Sequence, residues 1–264
     1  MPLIDARMNG APVVLVLDSG ADRTVLTEAA ARRIGLTFDQ SDIRRGSGTG
    51  GVVSSFAAKV QRFEFAGLSI PDHPVLATPQ LLASPGGEQI DGLLPALVLS
   101  AFDVDLDMPG RKMTLYGGTV CGDTVIPPWS VPSFSLPADF SQPPRILLRV
   151  RAGTAELRAL VDTGAQHMVA TNRAAVAAGL TPEVIAAGAP VTMRGVGAQT
   201  VQARLVRLPE MEIGPERGRG VPAIVTDSGL GTVDMILGMD YLGGRRLWFS
   251  YARQQVFIMA PPRR

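Results

Sequence analysis

The same sequence unit occurs twice in this 264-residue chain, with the two copies 144 positions apart. The first copy contains VLVLDSGADRTVLT at residues 14–27, and the second contains RALVDTGAQHMVAT at residues 158–171. Three further blocks recur in the same order: GLT (35–37 and 179–181), DGLLP and DMILG (91–95 and 234–238), and VDLDMPGRKMTLY and LWFSYARQQVFIM (104–116 and 247–259). Chance similarity between two apolar strands does not account for four blocks in one order, so the chain consists of two homologous lobes.

A proline-rich segment separates the two copies. Residues 117–144 carry six prolines, a composition typical of an extended linker. We therefore predict an N-terminal lobe over residues 1–116 (lobe 1), a linker over residues 117–144, and a C-terminal lobe over residues 145–264 (lobe 2).

Composition and charge exclude several classes of protein. Hydrophobic residues make up 46% of the chain and charged residues 19%, which allows a sizeable core and excludes a disordered chain. The 25 basic and 24 acidic residues leave a net charge of +1, so no strong field attracts nucleic acid or an anionic membrane. The single cysteine, Cys121, excludes an internal disulfide, argues against a thiolate metal site, and is expected to be a free thiol.

The apolar runs of the chain are too short for a membrane span. Residues 13–17 and 93–99 fall well below the ~18 residues of a transmembrane helix, so we expect no integral membrane segment. The first residues lack the basic region and apolar core of a secretion signal. The chain is therefore either cytoplasmic or, if a leader has been removed, exported, for example to the periplasm; the residues leave both open.

The hydrophobic pattern of each copy indicates β-structure. Residues 13–17 form an apolar run suited to a strand that is buried on both faces. Residues 52–65 and 201–213 alternate loosely with the period of a strand. We predict an all-β fold with minor helix, arranged as two lobes related by a pseudo-two-fold axis.

Short helices are predicted at matching places in the two copies. Thr27 and Thr171 are suited to cap a helix at its N-terminus, because a hydroxyl can accept a hydrogen bond from the first turn. Gly35 and Gly179 follow at the positions where those helices would end.

Two aspartates, Asp18 and Asp162, are the candidate catalytic residues. Each ends an apolar strand and precedes Ser/Thr-Gly-Ala. A carboxylate at the end of a buried strand is costly unless something pairs with it or uses it. The following hydroxyl can hydrogen-bond locally, and the glycine permits a tight turn. A third Asp-Ser-Gly triplet, at residues 227–229, lacks the alanine and lies outside the repeat, so we interpret it as a surface turn.

These two motifs resemble the active-site sequence of retropepsin-like aspartic proteases, within the wider class that includes pepsin. VLVLDSGADRTVL is very similar to the active-site stretch of the retroviral enzymes, and LVDTGA is the same signature in its commoner form. Ile236-Leu237-Gly238 matches the apolar-apolar-glycine element that supports the active-site loop in that family. Leu93-Leu94-Pro95 has proline in place of glycine, so we expect altered loop support in lobe 1. The resemblance covers residues 1–116 and 145–260. The chain is similar to bacterial single-chain members of the family with two β-barrel lobes.

The resemblance implies an aspartic endopeptidase that needs no metal and no cofactor. Asp18 and Asp162 would face each other across the pseudo-two-fold axis, hold one water and share one proton, because two adjacent carboxylates cannot both ionise readily. Since one chain supplies both aspartates, a monomer suffices for a complete site. Pepsin carries serine where this chain has Ala21 and Ala165, so we expect a weakly acidic optimum.

The resemblance also implies roles for the residues that follow the two aspartates. Ser19 and Thr163 would brace the two active-site loops against each other through backbone hydrogen bonds. Gly20 and Gly164 would allow the tight turn and close approach of each loop.

Two glycine-rich segments, at residues 46–51 and 194–199, are predicted to be the tips of hairpins. GSGTGG formally matches the dinucleotide-binding fingerprint, but that site requires a helix after the motif, and strand-like residues follow here. We interpret both segments as flaps that close over an extended peptide, with ordinary mobile hairpins as the alternative. The candidate flap residues are Gly48, Gly50, Gly195 and Gly197.

Other polar residues carry weaker predictions. Members of the family often use an acidic residue at the position of Asp22 to hold the substrate backbone; a structural salt bridge is the alternative. His73 and His167 are the only histidines, and no carboxylate cluster surrounds them to form a zinc site. Asp91 and Asp234 recur before the supporting loops, where we expect a structural role.

The leading hypothesis is therefore an aspartic endopeptidase that binds an extended peptide or protein substrate between the lobes. Main-chain hydrogen bonds would hold such a substrate as an added strand. The first alternative is a catalytically weak or inactive peptide-binding or scaffolding protein with the same fold, which Pro95 and the absence of a tyrosine from the flaps would favour. The second is a protease that processes only itself.

Overall fold

The computed structural model describes residues 1–38, 42–79, 89–117, 127–140, 144–197, 199–226 and 230–259. Cys121 and the triplet at residues 227–229 lie outside the described residues. None of the helices in the described ranges is long and apolar enough to cross a membrane.

The described part of lobe 1 contains nine strands and two short helices. In chain order these are β1 (Leu3–Met8), β2 (Ala11–Asp18), β3 (Val25–Thr27), α1 (Glu28–Arg33), β4 (Ile43–Gly48), β5 (Gly51–Phe65), β6 (Leu68–Thr78), β7 (Gly92–Pro95), α2 (Ala96–Leu99), β8 (Asp103–Asp107) and β9 (Lys112–Tyr116).

The described residues after lobe 1 repeat this order, with one additional strand at the start and one additional helix. The elements are β10 (Ser133–Phe140), β11 (Ile146–Ala152), β12 (Ala155–Val161), β13 (Val169–Thr171), α3 (Asn172–Ala177), α4 (Pro182–Ala186), β14 (Ala189–Arg194), β15 (Thr200–Ile213), β16 (Glu216–Thr226), β17 (Met235–Leu237), α5 (Met239–Leu242), β18 (Arg246–Ser250) and β19 (Gln255–Met259).

Each lobe is built around a closed six-stranded barrel. In lobe 1 the strand order is β1-β2-β7-β3-β6-β5, and β1 returns to pair with β5. Lobe 2 repeats the order as β11-β12-β17-β13-β16-β15, closed by pairing of β11 with β15. The predicted all-β fold with minor helix, in two duplicated β-barrel lobes, is therefore confirmed.

The capping residues identified in the sequence form the predicted helix ends. Thr27 accepts a hydrogen bond of 3.0 Å from the N–H of the third residue after it, and Thr171 does the same at the start of α3. Gly35 and Gly179 follow the two helices with φ angles of 76° and 99°, in the left-handed region that glycine adopts without strain. The two helices are therefore bounded as predicted.

The two lobes share one continuous sheet, in the order β10-β19-β18-β8-β9. At its centre, β8 of lobe 1 pairs with β18 of lobe 2. Asp105 on β8, only 2% exposed, accepts two hydrogen bonds from Arg246 on β18, at 2.9 and 2.7 Å. Trp129 donates its indole N–H to the same carboxylate at 3.3 Å and lies under the Arg246 guanidinium. This buried cluster ties the lobes together through groups that the repeat does not contain.

The proline-rich segment between the copies is more than a connector. Its described part contains β10, which pairs antiparallel with β19 and with β11 and so becomes part of the lobe 2 sheets. The side chains on alternate positions of β10 are apolar and are more buried than those between them: Phe134, Leu136, Ala138 and Phe140. The extended conformation agrees with the proline content, whereas the sequence alone did not indicate the strand pairing. The boundaries of lobes and linker stay a prediction.

We predict that Asp105→Asn destabilises the protein by about 2 kcal/mol, because it replaces the charged acceptor of the Arg246 hydrogen bonds at a side chain that is only 2% exposed. Urea unfolding followed by circular dichroism measures this change. The matched control is Glu156→Gln, which breaks the pair between Arg149 and Glu156, both exposed, and should leave the unfolding midpoint almost unchanged. Equal unfolding midpoints for the two variants would show that Asp105 does not stabilise the contact between the lobes.

Candidate active site

Asp18 and Asp162 lie at equivalent strand ends in the two lobes. Asp18 is the last residue of β2, in register with Pro95 on the parallel strand β7. Asp162 directly follows β12, and its N–H donates to Leu237 O on the parallel strand β17 at 3.1 Å. The carboxyl groups of the two aspartates are hydrogen-bonded to each other. The fold thus brings residues 144 positions apart into direct contact.

Backbone donors orient each carboxyl in the same way. Asp18 Oδ1 accepts hydrogen bonds of 2.9 Å from the N–H groups of Gly20 and Ala21. Asp162 Oδ1 likewise accepts hydrogen bonds from the N–H groups of the second and third residues after it, at 2.8 and 3.0 Å. Because one oxygen of each carboxyl is held by two donors, the carboxyl planes are fixed by the loop backbone.

The two carboxyls have raised but unequal pKa values. Burial raises the pKa of Asp18 well above its usual range, and the nearby charge of Asp162 raises it further. Burial also raises the pKa of Asp162, but its backbone donors, its hydrogen bond with Asp18 and the charge of Arg145 oppose this shift. A pair of this kind holds one proton between its members and titrates as a unit. Arg145 lies outside the motif, so the motif did not predict its influence on the pair.

Each loop glycine lies against the carboxyl of the other lobe. A Cβ atom placed on Gly20 would be 2.5 Å from Asp162 Cγ, and one placed on Gly164 would be 2.6 Å from Asp18 Cγ. Any side chain at these positions would push the opposite carboxyl away. The glycines are therefore required for the close approach of the two aspartates.

Ser19 and Thr163 join the two loops through four buried hydrogen bonds. Each hydroxyl accepts from the backbone N–H of the other residue, at 3.0 and 3.1 Å. Each also donates to a carbonyl of the opposite lobe: Ser19 Oγ to Val161 O at 2.7 Å, and Thr163 Oγ1 to Leu17 O at 2.6 Å. Both side chains are completely buried. The separation of the two aspartates is thus set by a network in which every hydroxyl both donates and accepts.

Asp91 and Asp234 hold the strands that carry the two aspartates. Asp91 accepts from the N–H of Val14 on β2 at 2.9 Å and pairs with Arg33 at 2.8 Å. Asp234 accepts from the N–H of Arg158 on β12 at 2.9 Å. Burial opposes ionisation of Asp91, but the hydrogen bonds from Arg33 and other donors outweigh it and hold its pKa below the usual value. These contacts agree with the structural role expected for both residues.

Proline at position 95 does not remove the link between the supporting element and the active-site loop. The residue after Pro95 donates its N–H to Ala21 O at 3.1 Å, and the residue after Gly238 donates to Ala165 O at 2.9 Å. The proline φ angle of −86° is close to the −93° of Gly238. The backbone conformation is therefore retained in lobe 1.

The loop supports of the two lobes differ instead in their side chains. In lobe 2, Asp240 accepts a hydrogen bond from the N–H of Met168 at 2.7 Å. The matching position in lobe 1 is Leu97, which is exposed. Lobe 1 has another contact, a hydrogen bond of 2.7 Å between Thr24 and His73. The alteration expected from Pro95 is therefore not found in the backbone, and the loop supports of the two lobes differ in these side chains instead.

The glycine-rich segments form two hairpin tips that contact each other. β4 pairs with β5 and β14 pairs with β15, so a strand, and not a helix, follows each motif. Gly50 donates its N–H to Val196 O and accepts from the N–H of Gln199, both at 3.0 Å. A Cβ atom would meet the opposite hairpin within 3 Å at all four candidate glycines: Gly48, Gly50, Gly195 and Gly197.

The remaining candidates lie outside this arrangement. Asp22 is exposed and makes no ion pair with any described residue, so the structure gives no support to a salt bridge there. His73 packs on Phe63, and burial lowers its pKa, whereas His167 is exposed. Among the described residues, no three His, Cys, Asp or Glu side chains group together as metal ligands would.

Comparison with known proteins points to one family. The sequence model of the aspartyl protease family matches the chain twice, over residues 4–96 and 148–241. Among solved structures, the chain is similar to a retropepsin-like aspartic protease from Rickettsia conorii, at 17% identity and a TM-score of 0.37. That similarity covers 50% of this chain and 96% of that one. No curated protein matches the sequence.

We predict that Thr163→Val lowers the free energy of unfolding by about 2 kcal/mol, because it leaves the buried Ser19 N–H and Leu17 carbonyl without partners. Urea unfolding provides the measurement. Thr163→Ser keeps the hydroxyl and copies the residue of lobe 1, so it should retain nearly all of the stability. Equal losses in the two variants would mean that the methyl group, and not the hydrogen bonds, matters at this position.

Proposed function

The chain belongs to the aspartyl protease family, and from this premise we propose that it is an endopeptidase that uses a water held between Asp18 and Asp162. Aspartic protease activity in general follows from the family. The proposal adds the two residues that act and the class of substrate, which is an extended polypeptide bound between the lobes.

One observation carries the proposal: two partly buried carboxyls, one from each lobe, are hydrogen-bonded to each other at the ends of equivalent strands. Burying two adjacent acidic groups is unfavourable, and a fold that only needed stability would replace them. The glycines and hydroxyls around them are arranged so that the carboxyls meet. This arrangement supports a chemical role for the pair.

The two aspartates would have different roles, because the pair holds one proton. The ionised member, which we assign as Asp162, would take a proton from the bound water as the water oxygen attacks the carbonyl carbon of the scissile peptide. Asp18 would donate its proton to the developing oxyanion. The gem-diol would then collapse, with a proton passing to the leaving nitrogen as the carbon–nitrogen bond breaks. Each cycle consumes one water and returns one proton to the pair.

The hairpin tips would control access to this site. They contact each other through the Gly50 backbone, so a long peptide could enter only after these hydrogen bonds open. Closure over the peptide would exclude water and offer main-chain groups for strand pairing. Asp22 is exposed and free of an ion pair with the described residues, which leaves its carboxylate available to the substrate backbone.

We predict that Asp18→Asn and Asp162→Asn each reduce peptide hydrolysis by about a thousandfold, because each removes one half of the acid–base pair. Turnover of a peptide library, read by mass spectrometry, measures this. Asp72→Asn, an exposed aspartate paired with Lys59, is the matched control and should keep full activity. Equal turnover by the wild type and either active-site variant would refute the proposed mechanism and favour a peptide-binding protein without catalysis.

We predict a bell-shaped pH dependence with a weakly acidic maximum, above the ordinary aspartate pKa of about 3.9, since burial raises the pKa of both members of the pair. Activity should fall at higher pH as Asp18 loses its proton, and at lower pH as Asp162 gains one. The measurement is kcat/KM against pH on one cleaved peptide. A maximum below about pH 3 would contradict raised pKa values in the pair.

A further inference from the structure

Strand β10 fills a space in lobe 2. No strand of the described residues fills the equivalent space in lobe 1. β10 lies between β11 and β19, with Ala138 opposite Leu148 and Pro137 opposite Gln255. Its apolar side chains on alternate positions pack towards the core of the lobe. The repeat matches β11 to β1 and β19 to β9, so an equivalent strand in lobe 1 would lie opposite residues 2–4 and 112–116.

No strand in the described parts of the chain occupies this position. Within those residues, β9 pairs only with β8, and the start of β1 pairs only with β2. We call the space between these two strands the lobe 1 slot, bounded by residues 2–4 and 112–116. The slot has two open backbone edges, which is the arrangement that accepts an added strand.

The exposure of the side chains agrees with an unfilled slot. Ile4 on β1 is half-buried, whereas its duplicate Leu148, which lies opposite Ala138 of β10, is 1% exposed. Met113 on β9 is only half-buried, whereas its duplicate Val256 is 1% exposed. Residues that β10 covers in lobe 2 therefore remain accessible in lobe 1.

A cavity of about 530 Å³ lies in the slot. Apolar side chains from three places contribute to it: the first residues of the chain, β8 and β9 of lobe 1, and Met239 of lobe 2. Cavities of this size are within the range that proteins use for ligands. Its lining is therefore mixed, with apolar side chains beside charged and amide groups, and its rim carries the unpaired strand edges.

The charges at the slot favour an acidic partner. Arg111 and Lys112 lie at the rim, and both are exposed. The lining also includes Asp107, which lies on β8 opposite Lys112 and accepts the Gly110 N–H at 2.8 Å, so two basic side chains face one acidic side chain at the rim. A cross-strand carboxylate opposite Lys112 would therefore be favourable.

We propose that the lobe 1 slot binds an extended peptide segment of a partner protein, which adds a strand to the edge of β9 and extends the inter-lobe sheet. The peptide carries apolar residues at alternate positions, as β10 does, and an acidic residue opposite Lys112. It binds antiparallel to β9, in the register that β10 has with β19.

A second copy of this chain fits the slot less well than a peptide. Pairing of β9 with β9 of another copy around a two-fold axis would join strands of only five residues. It would leave the edge of β1 and the cavity between β1 and β9 unfilled. A single strand that lies between β1 and β9 satisfies both edges at once.

The probe for this site is a labelled peptide with the sequence of residues 133–140 carrying Pro137→Glu, SFSLEADF. The control peptide, SSEDFLAF, has the same composition without the alternation. Fluorescence anisotropy measures their binding to the full chain carrying Asp162→Asn, which prevents cleavage. We expect saturable binding of the first peptide and at least tenfold weaker binding of the second.

Protein variants locate the binding site. Lys112→Glu should weaken binding of SFSLEADF about threefold, and a peptide with lysine in place of its glutamate should then recover the affinity. Met113→Asp, checked for folding by circular dichroism, should weaken binding at least tenfold, because it places a charge against the apolar face of the peptide. The matched control is Lys59→Glu, which changes the other lysine of the chain, exposed on β5, and should leave the affinity unchanged.

Three results would overturn the proposal. Equal binding of the two peptides would remove the requirement for alternation. Binding that is insensitive to both Lys112→Glu and Met113→Asp would place the peptide in the cleft between the lobes instead. A dimer in sedimentation velocity that dissociates when SFSLEADF is added would assign the slot to a second copy of the chain.

Discussion

The buried network between Ser19 and Thr163 is the constraint on which the rest of the site depends. Two carboxyls in a low-dielectric site repel each other when both are charged, so they stay adjacent only if the surrounding backbone holds them there. Four hydrogen bonds cross between the lobes and link each hydroxyl to the strand that ends in the opposite aspartate. The same network makes the two loops one rigid unit, which keeps the pair in position during a reaction.

The duplication gives the chain its two-fold arrangement, and the differences between the copies make its two halves unequal. The charge of Arg145 lowers the pKa of Asp162, so the two equivalent aspartates have different surroundings. The cluster of Asp105, Arg246 and Trp129 uses different residue types from the two lobes and joins them at one side of the sheet. β10 covers the barrel edge of lobe 2 alone. Symmetry therefore explains the pair of carboxyls, whereas the departures from it account for the acid–base difference and the open slot.

The sequence predicted the structural features that recur in both copies and those that depend on neighbouring residues in the chain. The barrel strands, the helices capped by Thr27 and Thr171, and the candidate pair of aspartates all follow from motifs that recur in the same order in both copies. The sequence did not predict the pairing of β10, because proline content indicates an extended chain without indicating its partner. It also did not predict the Asp105–Arg246 contact. An ion pair between the lobes depends on the tertiary arrangement, and the matching positions of the other copies carry different residue types. Pro95 does not alter the backbone of the loop support as expected, because a φ angle near −86° suits proline as well as glycine.

The most direct test of the account is the protonation of the two carboxyls, measured by ¹³C NMR of the aspartate side chains as a function of pH. The account predicts that one carboxyl, that of Asp18, keeps its proton well above the ordinary aspartate pKa of about 3.9, and that this titration changes in Asp162→Asn. If all aspartates instead titrate near that value and Asp18 does not respond to Asp162→Asn, the two carboxyls do not share a proton and the central claim is wrong.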